Sequence, residues 1–247
     1  MDFLIDLDPL LSSADVNAAR YRAADPFPHL VLDDFLPASV AARAVAEFPE
    51  PEAIAEWRRA DALDAQGRVA QVLKLGYSRE RDFGPTLRGL VHELHSGPFL
   101  RCLERLTGIE HLIPDPHMTG GGLHQYLPGA VLRVHADFNR LPGVDLDRRL
   151  NLLLYLNADW NPAWGGDLEL WDAGMQECRA RVAPLANRCV IFSTTNNSFH
   201  GMPEPLACPP GRTRRSLALY YYTHGRPADE PTDAHSTLWQ ARPHETS

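Results

Sequence analysis

The stretch QYLPGAVLRVHADFN, residues 125–139, decides how this chain is read. After Pro128-Gly129 it alternates as a strand does. Val131, Arg133, His135 and Asp137 fall on one face, and Leu132, Val134 and Ala136 on the other. The apolar face belongs to a core. The opposite face carries an imidazole and a carboxylate at i and i+2, a pair that packing alone does not call for. Taken singly the pair is weak evidence, since Asp137 ahead of Phe138-Asn139 also suits a turn.

Further runs of the same texture lie on either side. LHQYL, AVLRVH, RLNLLLYLN, GDLELW, NRCVIFS and RRSLALYYY are short alternating or apolar runs separated by Gly, Pro and Asn. Strands at this spacing predict a sandwich or barrel of antiparallel sheets from about residue 110 onward. The first 110 residues read differently. FPHLVLDDFL (27–36) predicts a short strand running into a helix near Pro37, with PASVAARAVAEF helical and stopped at Pro49–Pro51. Gly84–His95 and Pro98–Leu106 predict two helices, the second closed by Gly108. Residues 50–83 are polar and arginine-rich and read as loop with one strand around Val69–Leu75. Helices first and strands afterwards place the helices on one outer face of the sheets. The expectation is a single domain over 1–247: a helix-rich support region (1–110), a β core (111–223) and a polar tail (224–247).

The whole-chain balance narrows the function. At 247 residues, 44% hydrophobic and 23% charged, the chain can bury a large core. A net charge of −8 argues against a phosphate-tracking surface, so no nucleic-acid partner is expected. Cys102, Cys178, Cys189 and Cys208 show no paired spacing; Cys102 and Cys189 sit in apolar stretches and read as buried thiols rather than a disulfide framework. The opening MDFLIDLDPLLSS lacks a basic region and carries three aspartates, unlike a secretory signal. No apolar run approaches the ~20 residues of a membrane span. The expected setting is soluble and cytoplasmic, with no membrane partner.

His200, in SFHGMPEP, follows the predicted strand RCVIFS and an Asn-rich turn, and Gly201 leaves space beside it. Two imidazoles and one carboxylate on neighbouring strands bind one side of an iron(II) and leave positions open for exogenous ligands such as dioxygen. A loop histidine bonded to backbone is the plain alternative for His200, and His224, in THGRP, is a rival third ligand. In RRSLALYYY, Arg214, Ser216, Ala218 and Tyr220 share a face that is small after its arginine. A guanidinium reaching into that space can bind a carboxylate at two points, with the Ser216 hydroxyl adding a donor. Arg215, on the other face, reads as a surface ion pair. Arg133 reads equally as a contact for an anionic substrate or as a buried ion pair.

In combination these pieces become specific. HAD at 135–137, a single later histidine in FHG and RRS at 214–216 resemble the iron(II)- and 2-oxoglutarate-dependent dioxygenases of the prolyl-4-hydroxylase-like type. NLLLYLNADWNPAWGGDLELWD (151–172), QYLPGAVLRVHADFN and FPHLVLDDFLP are similar to stretches of that family, so the resemblance covers most of 27–240. It implies a double-stranded β-helix, a jelly-roll shared with cupins, backed by N-terminal helices. It implies His135, Asp137 and His200 as iron ligands and Arg214 as the partner of the distal carboxylate of 2-oxoglutarate. Tyr155, which shares a strand face with Asn151 and Leu153, matches a tyrosine that assists there, and Tyr126 is a further candidate beside the same pocket. For both tyrosines a plain core role remains open. The Trp160, Trp164 and Gly165–Gly166 segment reads as a structured turn rather than a substrate box.

The implied activity is hydroxylation of an unactivated C–H in an amino-acid, peptidyl-prolyl or related small-molecule substrate, with 2-oxoglutarate decarboxylated to succinate. The implied reagents are iron(II), 2-oxoglutarate and dioxygen, with ascorbate as a stimulant. Asp137 matters here, because alanine or glycine in its place would open a site for halide. Two other readings stand beside this one: a non-catalytic β-helix protein that binds a ligand or partner, and a cupin-like metalloenzyme that uses no 2-oxoglutarate. Segments 50–83 and 224–247 are the candidate lids.

Overall fold

The computed structural model describes residues 3–227, 230 and 233–245. Met1, Asp2 and parts of the 224–247 tail lie outside the described residues, as does the side chain of His244. No helix among the described residues is long and apolar enough to cross a membrane.

Two helices open the chain, α1 (Leu7–Ser12) and α2 (Ala14–Ala23), followed by β1 (His29–Leu32) and α3 (Ala38–Glu47). Three strands then occupy the arginine-rich segment: β2 (Arg58–Arg59), β3 (Ala62–Leu63) and β4 (Val69–Tyr77). The helices α4 (Pro85–Leu94) and α5 (Gly97–Thr107) follow, each with proline in its first turn, and Gly108 closes α5 in the left-handed region at φ 75°. The remainder is sheet: β5 (Ile113–Pro114), β6 (Gly122–Ala136), β7 (Asp147–Tyr155), β8 (Leu168–Trp171), β9 (Cys178–Val182), β10 (Cys189–Ser193), β11 (His200–Met202), β12 (Arg214–Thr223) and β13 (Leu238–Trp239).

All strand pairs are antiparallel, in the order β1-β10-β7-β12-β6-β11-β8-β9. The fifteen-residue β6 links two layers. Its first half pairs with β12 and its second half with β11 and β13, while β4 pairs along both. Pro128-Gly129 sits between the halves, with Gly129 at φ 83°. The result is a nearly closed jelly-roll, the double-stranded β-helix that the motifs imply.

Alternation sorts the side chains as the sequence suggests. Leu150, Leu152 and Leu154 of β7 and Leu217, Leu219 and Tyr221 of β12 join Leu87, Leu90, Phe99 and Leu103 of the helices in the main core. The helices therefore back one sheet and leave the opposite faces of β7 and β12 to line the interior. A second cluster, including Tyr155, Leu168, Leu170, Val190 and Phe192, ties β7 and β10 to β8. All four cysteines are free, with Cys102, Cys189 and Cys208 buried.

Two expectations need correction. Residues 50–83 hold three strands rather than one, and β4 pairs with β6 over Gln71–Tyr77. β2 and β3 are two residues each and largely exposed, so no apolar stripe marks them, whereas β4 is the strand expected around Val69–Leu75. In addition, part of the tail is not appended to the fold: β13 pairs Leu238 and Trp239 with Ala136 and His135.

Candidate active site

His135 and His200 face each other across the β6–β11 pair, directly in register. That approach depends on Gly201, where a Cβ would meet the Leu132 and Arg133 carbonyls at 2.9 Å. The imidazole rings are 4.5 Å apart between centroids. Asp137 lies just past the end of β6, its Oδ1 3.6 Å from His135 Nε2 and its Oδ2 3.5 Å from His200 Nε2. One ligand atom from each residue can be chosen so that all three fall within 4.8 Å of one another, the spacing of groups that share a metal ion.

Backbone carbonyls fix both imidazoles. His135 Nδ1 is 2.8 Å from the Arg133 carbonyl and His200 Nδ1 is 2.9 Å from the Ser198 carbonyl. A carbonyl only accepts, so each Nδ1 carries the proton and each Nε2 presents a lone pair toward Asp137. Burial pulls the His200 pKa down to about 4, with neighbouring His135 adding to the effect and Asp137 opposing it. His200 is therefore neutral near pH 7, the form that ligates.

Asp137 is held from behind. Its Oδ2 lies 3.0 Å from Arg148 Nη2 and accepts from Asn151 Nδ2 at 2.7 Å. Arg148 also donates twice to Asn151 Oδ1 and stacks 3.5 Å over the Tyr220 ring. Burial pushes the Asp137 carboxyl up, but the Arg148 cation and the two histidines hold it well below the usual carboxylate range. The carboxylate is thus ionised and aimed before anything binds. Arg148 escaped the sequence reading because a register irregularity opposite Tyr221–Tyr222 places it on the same side as Asn151, three residues away, where plain alternation does not put it.

Arg214, only 5% exposed, enters the same cavity from β12. Its Nε donates to the Gly166 carbonyl at 2.6 Å and its Nη2 to the Tyr155 hydroxyl at 3.0 Å. Gly166 sits at φ 82°, and a Cβ there would press on Leu206, Arg214 and Trp160 at 2.9–3.2 Å. The Trp160–Gly166 segment is thus a turn, with Pro162–Trp164 in a 3-10 turn and Trp160 Nε1 donating to the Gly165 carbonyl, and it holds the guanidinium in place. Among the described residues Arg214 has no carboxylate partner, although a buried cation is stable only with compensation. Ser216 and Tyr126 line the cavity beside it, and the Tyr126 ring lies 5.4 Å from the guanidinium carbon. Burial raises both the Tyr155 and Tyr126 pKa values, Tyr126 to about 12, so both phenols keep their protons.

The cavity measures about 320 Å³. Segments from both ends of the chain wall it: Arg58, Ala60–Ala62, Gln71 and Lys74 on one side, Thr237 and Trp239 on the other. The Trp239 ring packs 5.0 Å from His135. Neither Lys74 nor Trp239 was singled out by the motifs. Arg133, expected on the metal-facing side, does not line the cavity. The bulge between His135/His200 and Leu132/Met202 turns it away, and it lies 3.7–3.8 Å from Glu245 and Asp64, the ion-pair alternative. His224 is exposed beside Asp145, away from the set, and Arg215 pairs with Glu50.

Residues 121–222, which hold the two histidines, Asp137 and Arg214, match the model of the 2OG-Fe(II) oxygenase superfamily. Over that segment the chain is similar to the Fe(II)- and 2-oxoglutarate-dependent oxygenases. The match and the His/Asp/His set together indicate an enzyme that uses iron(II), 2-oxoglutarate and dioxygen. No curated protein sequence matches the chain. In structure it is similar to a Trichoplax adhaerens prolyl hydroxylase in complex with a hypoxia inducible factor peptide (TM-score 0.60, 16% identity, covering 87% of this chain and 91% of that one). It is also similar to a Pseudomonas putida prolyl-4-hydroxylase (0.56, 20%, 84% and 99%). A third likeness is to HygX from Streptomyces hygroscopicus with nickel, 2-oxoglutarate and hygromycin B bound (0.51, 13%, 87% and 94%). At these identities the likeness speaks for the fold.

Proposed function

We propose that the chain hydroxylates an unactivated C–H of an amino-acid, peptidyl-prolyl or related small-molecule substrate, converting 2-oxoglutarate to succinate as it does so. In this reading His135, Asp137 and His200 hold one iron(II). Arg214, with the Tyr155 hydroxyl and Ser216 beside it and Tyr126 alongside, receives the distal carboxylate of 2-oxoglutarate. The observation that carries the proposal is a buried guanidinium with no carboxylate partner among the described residues, in one cavity with a converged His/Asp/His set.

When bound, iron(II) with 2-oxoglutarate and dioxygen supplies the oxidation, and one oxygen atom enters the substrate as a hydroxyl. The chain's own residues bind and orient. Backbone carbonyls keep the Nε2 lone pairs of both histidines available, and Arg148 with Asn151 keeps Asp137 ionised and fixed. Three protein ligands leave no vacated protein position for halide, which favours hydroxylation over halogenation. The walls formed by 58–74 and 237–239 shield the site and set specificity. One structural neighbour is seen with a peptide and another with hygromycin B, which agrees with a peptidyl or small-molecule substrate.

The test is to supply iron(II), ascorbate and 2-oxoglutarate with amino acids, peptides and proline-containing proteins. Succinate is then measured against oxygen consumed, and products are searched for a gain of one oxygen atom. Succinate formed in step with oxygen supports the proposal. Oxygen consumed without succinate would favour a metalloenzyme of another type, and neither would favour a binding protein.

A further inference from the structure

Of the 24 basic side chains in the sequence, 23 are arginine and one, Lys74, is lysine. This single lysine lines the candidate active site. It sits on β4 opposite Tyr126, which is itself opposite Arg214, so Lys74, Tyr126 and Arg214 form one row across three strands. The Lys74 ammonium lies 5.7 Å from the centre of the Tyr126 ring. Arg58, on β2, lines the same cavity.

Among the described residues neither Lys74 nor Arg58 forms an ion pair with a carboxylate. The other charged groups of the cavity are committed. Arg148 and Asp137 hold each other, Arg214 is fixed by Tyr155 and Gly166, and Asp61 accepts the Leu73 N–H at 3.0 Å without pairing to either cation. Two uncommitted cations therefore face a cavity in a protein of net charge −8. Lysine offers there a compact, mobile point charge, where arginine would impose a planar fork. Burial also pulls the Lys74 pKa below its ordinary value, a cost that a bound anion would offset.

We propose that Lys74, with Arg58 beside it, is the seat for an anionic oxygen group of the primary substrate, a carboxylate or a phosphate, so that the molecule hydroxylated is a small acid. The inference rests on the hydroxylase reading above, in which Arg214 is taken by 2-oxoglutarate and the His/Asp/His set by iron.

Because Lys74 is the only lysine, acetylation of its side chain reports the seat without reference to turnover. The protein is loaded anaerobically with manganese(II) and 2-oxoglutarate, treated with an amine-acetylating reagent, and Lys74 is followed by peptide mass mapping. Three probes without free amines are compared: a pool of N-acetyl amino acids, a pool of N-acetyl amino-acid amides, and a pool of phosphate monoesters. Slowing of Lys74 acetylation by about tenfold, as expected for one charge-assisted contact, by the free-acid or the phosphate pool but not by the amides supports the proposal and says which anion is preferred. Equal protection by the amides, or protection by no pool, overturns it. Complete protection by 2-oxoglutarate alone also overturns it, because Lys74 would then belong to the cosubstrate's seat.

A kinetic arm separates this inference from the reading beneath it. Lys74→Met should raise the KM of a stimulating acid about tenfold or more and that of 2-oxoglutarate less than about twofold, with Lys74→Arg recovering part of the loss. Succinate formation supported equally by neutral amides and unchanged in Lys74→Met would defeat the anion seat alone. Wild-type protein that binds no 2-oxoglutarate would defeat the hydroxylase reading.

Discussion

Replacing Arg214 by methionine removes a buried cation while keeping most of its apolar volume. In the free protein the guanidinium has two neutral partners, the Gly166 carbonyl and the Tyr155 hydroxyl, and no described carboxylate. Losing two hydrogen bonds to neutral groups costs about 1–3 kcal/mol, and relieving an uncompensated buried charge returns a comparable amount. The free variant should therefore unfold near the wild-type midpoint. Binding of 2-oxoglutarate should respond very differently. A two-point contact between guanidinium and carboxylate comprises two charged hydrogen bonds of roughly 1.5–3 kcal/mol each. At about 1.4 kcal/mol per tenfold, their loss raises the dissociation constant at least about a hundredfold.

Thermal unfolding with and without 2-oxoglutarate reads this directly. At a ligand concentration a hundred times the wild-type constant, binding stabilises wild type by about 2.7 kcal/mol, and a hundredfold weaker variant by only about 0.4 kcal/mol. For a chain of this size that difference is roughly 5–9 °C of midpoint. Metal affinity should be almost unchanged, since Arg214 does not touch the His/Asp/His set. A dissociation constant for 2-oxoglutarate within about tenfold of wild type, or a parallel loss of metal and cosubstrate, would refute the assignment of Arg214.

The other expectations are shorter. Arg148→Met should lower metal affinity by about 10–100-fold, because it frees the carboxylate that Arg148 holds from behind; unchanged metal titration would make Arg148 a packing residue only. The same variant should lose about 3–5 kcal/mol in urea unfolding, the cost of leaving a buried charge unpaired. Trp239→Ala removes the ring beside His135 and should raise the succinate formed per hydroxylated product; an unchanged ratio would mean the tail does not shield the site. The metal-free chain should also be acid-labile. Burial depresses the pKa values of His95, His124 and His200, to about 4 for His95 and His200, and these groups regain ordinary values on unfolding. Depressed folded values mean that the unfolded state takes up the protons first, so stability falls as pH drops below about 6.5, by up to about 1.4 kcal/mol per pH unit for each proton. Urea midpoints that stay level from pH 7 to pH 5 would contradict this.

The parts of the site that regular alternation governs were legible in the sequence. Arg214, Ser216 and Tyr220 share the inward face of β12, and Asn151, Leu153 and Tyr155 that of β7, as a period of two requires. His135 and Asp137 share a face for the same reason. Where alternation breaks, so did the reading. The bulge near Leu132 rotates Arg133 out of the cavity, and the irregularity near Arg148 rotates that residue in. The strands β2, β3 and β13 are two residues each, so no local pattern marks them, whereas the longer β4 is the strand expected around Val69–Leu75. The helices α1 and α2 carry no strong apolar stripe either, so no periodicity marks them in the sequence. Lys74 was visible as the only lysine of the chain, but its meaning depends on the β4–β6 pairing that brings it beside Tyr126.

The central claim is that His135, Asp137 and His200 hold a single iron(II) that 2-oxoglutarate can also reach. Anaerobic titration with iron(II) in the presence of 2-oxoglutarate, followed by the visible metal-to-ligand charge-transfer absorption, tests it most directly. The account predicts a band that saturates at one iron per chain, disappears in His200→Ala and in His135→Ala, and weakens sharply at low 2-oxoglutarate in Arg214→Met. A band that persists in either histidine variant would contradict it.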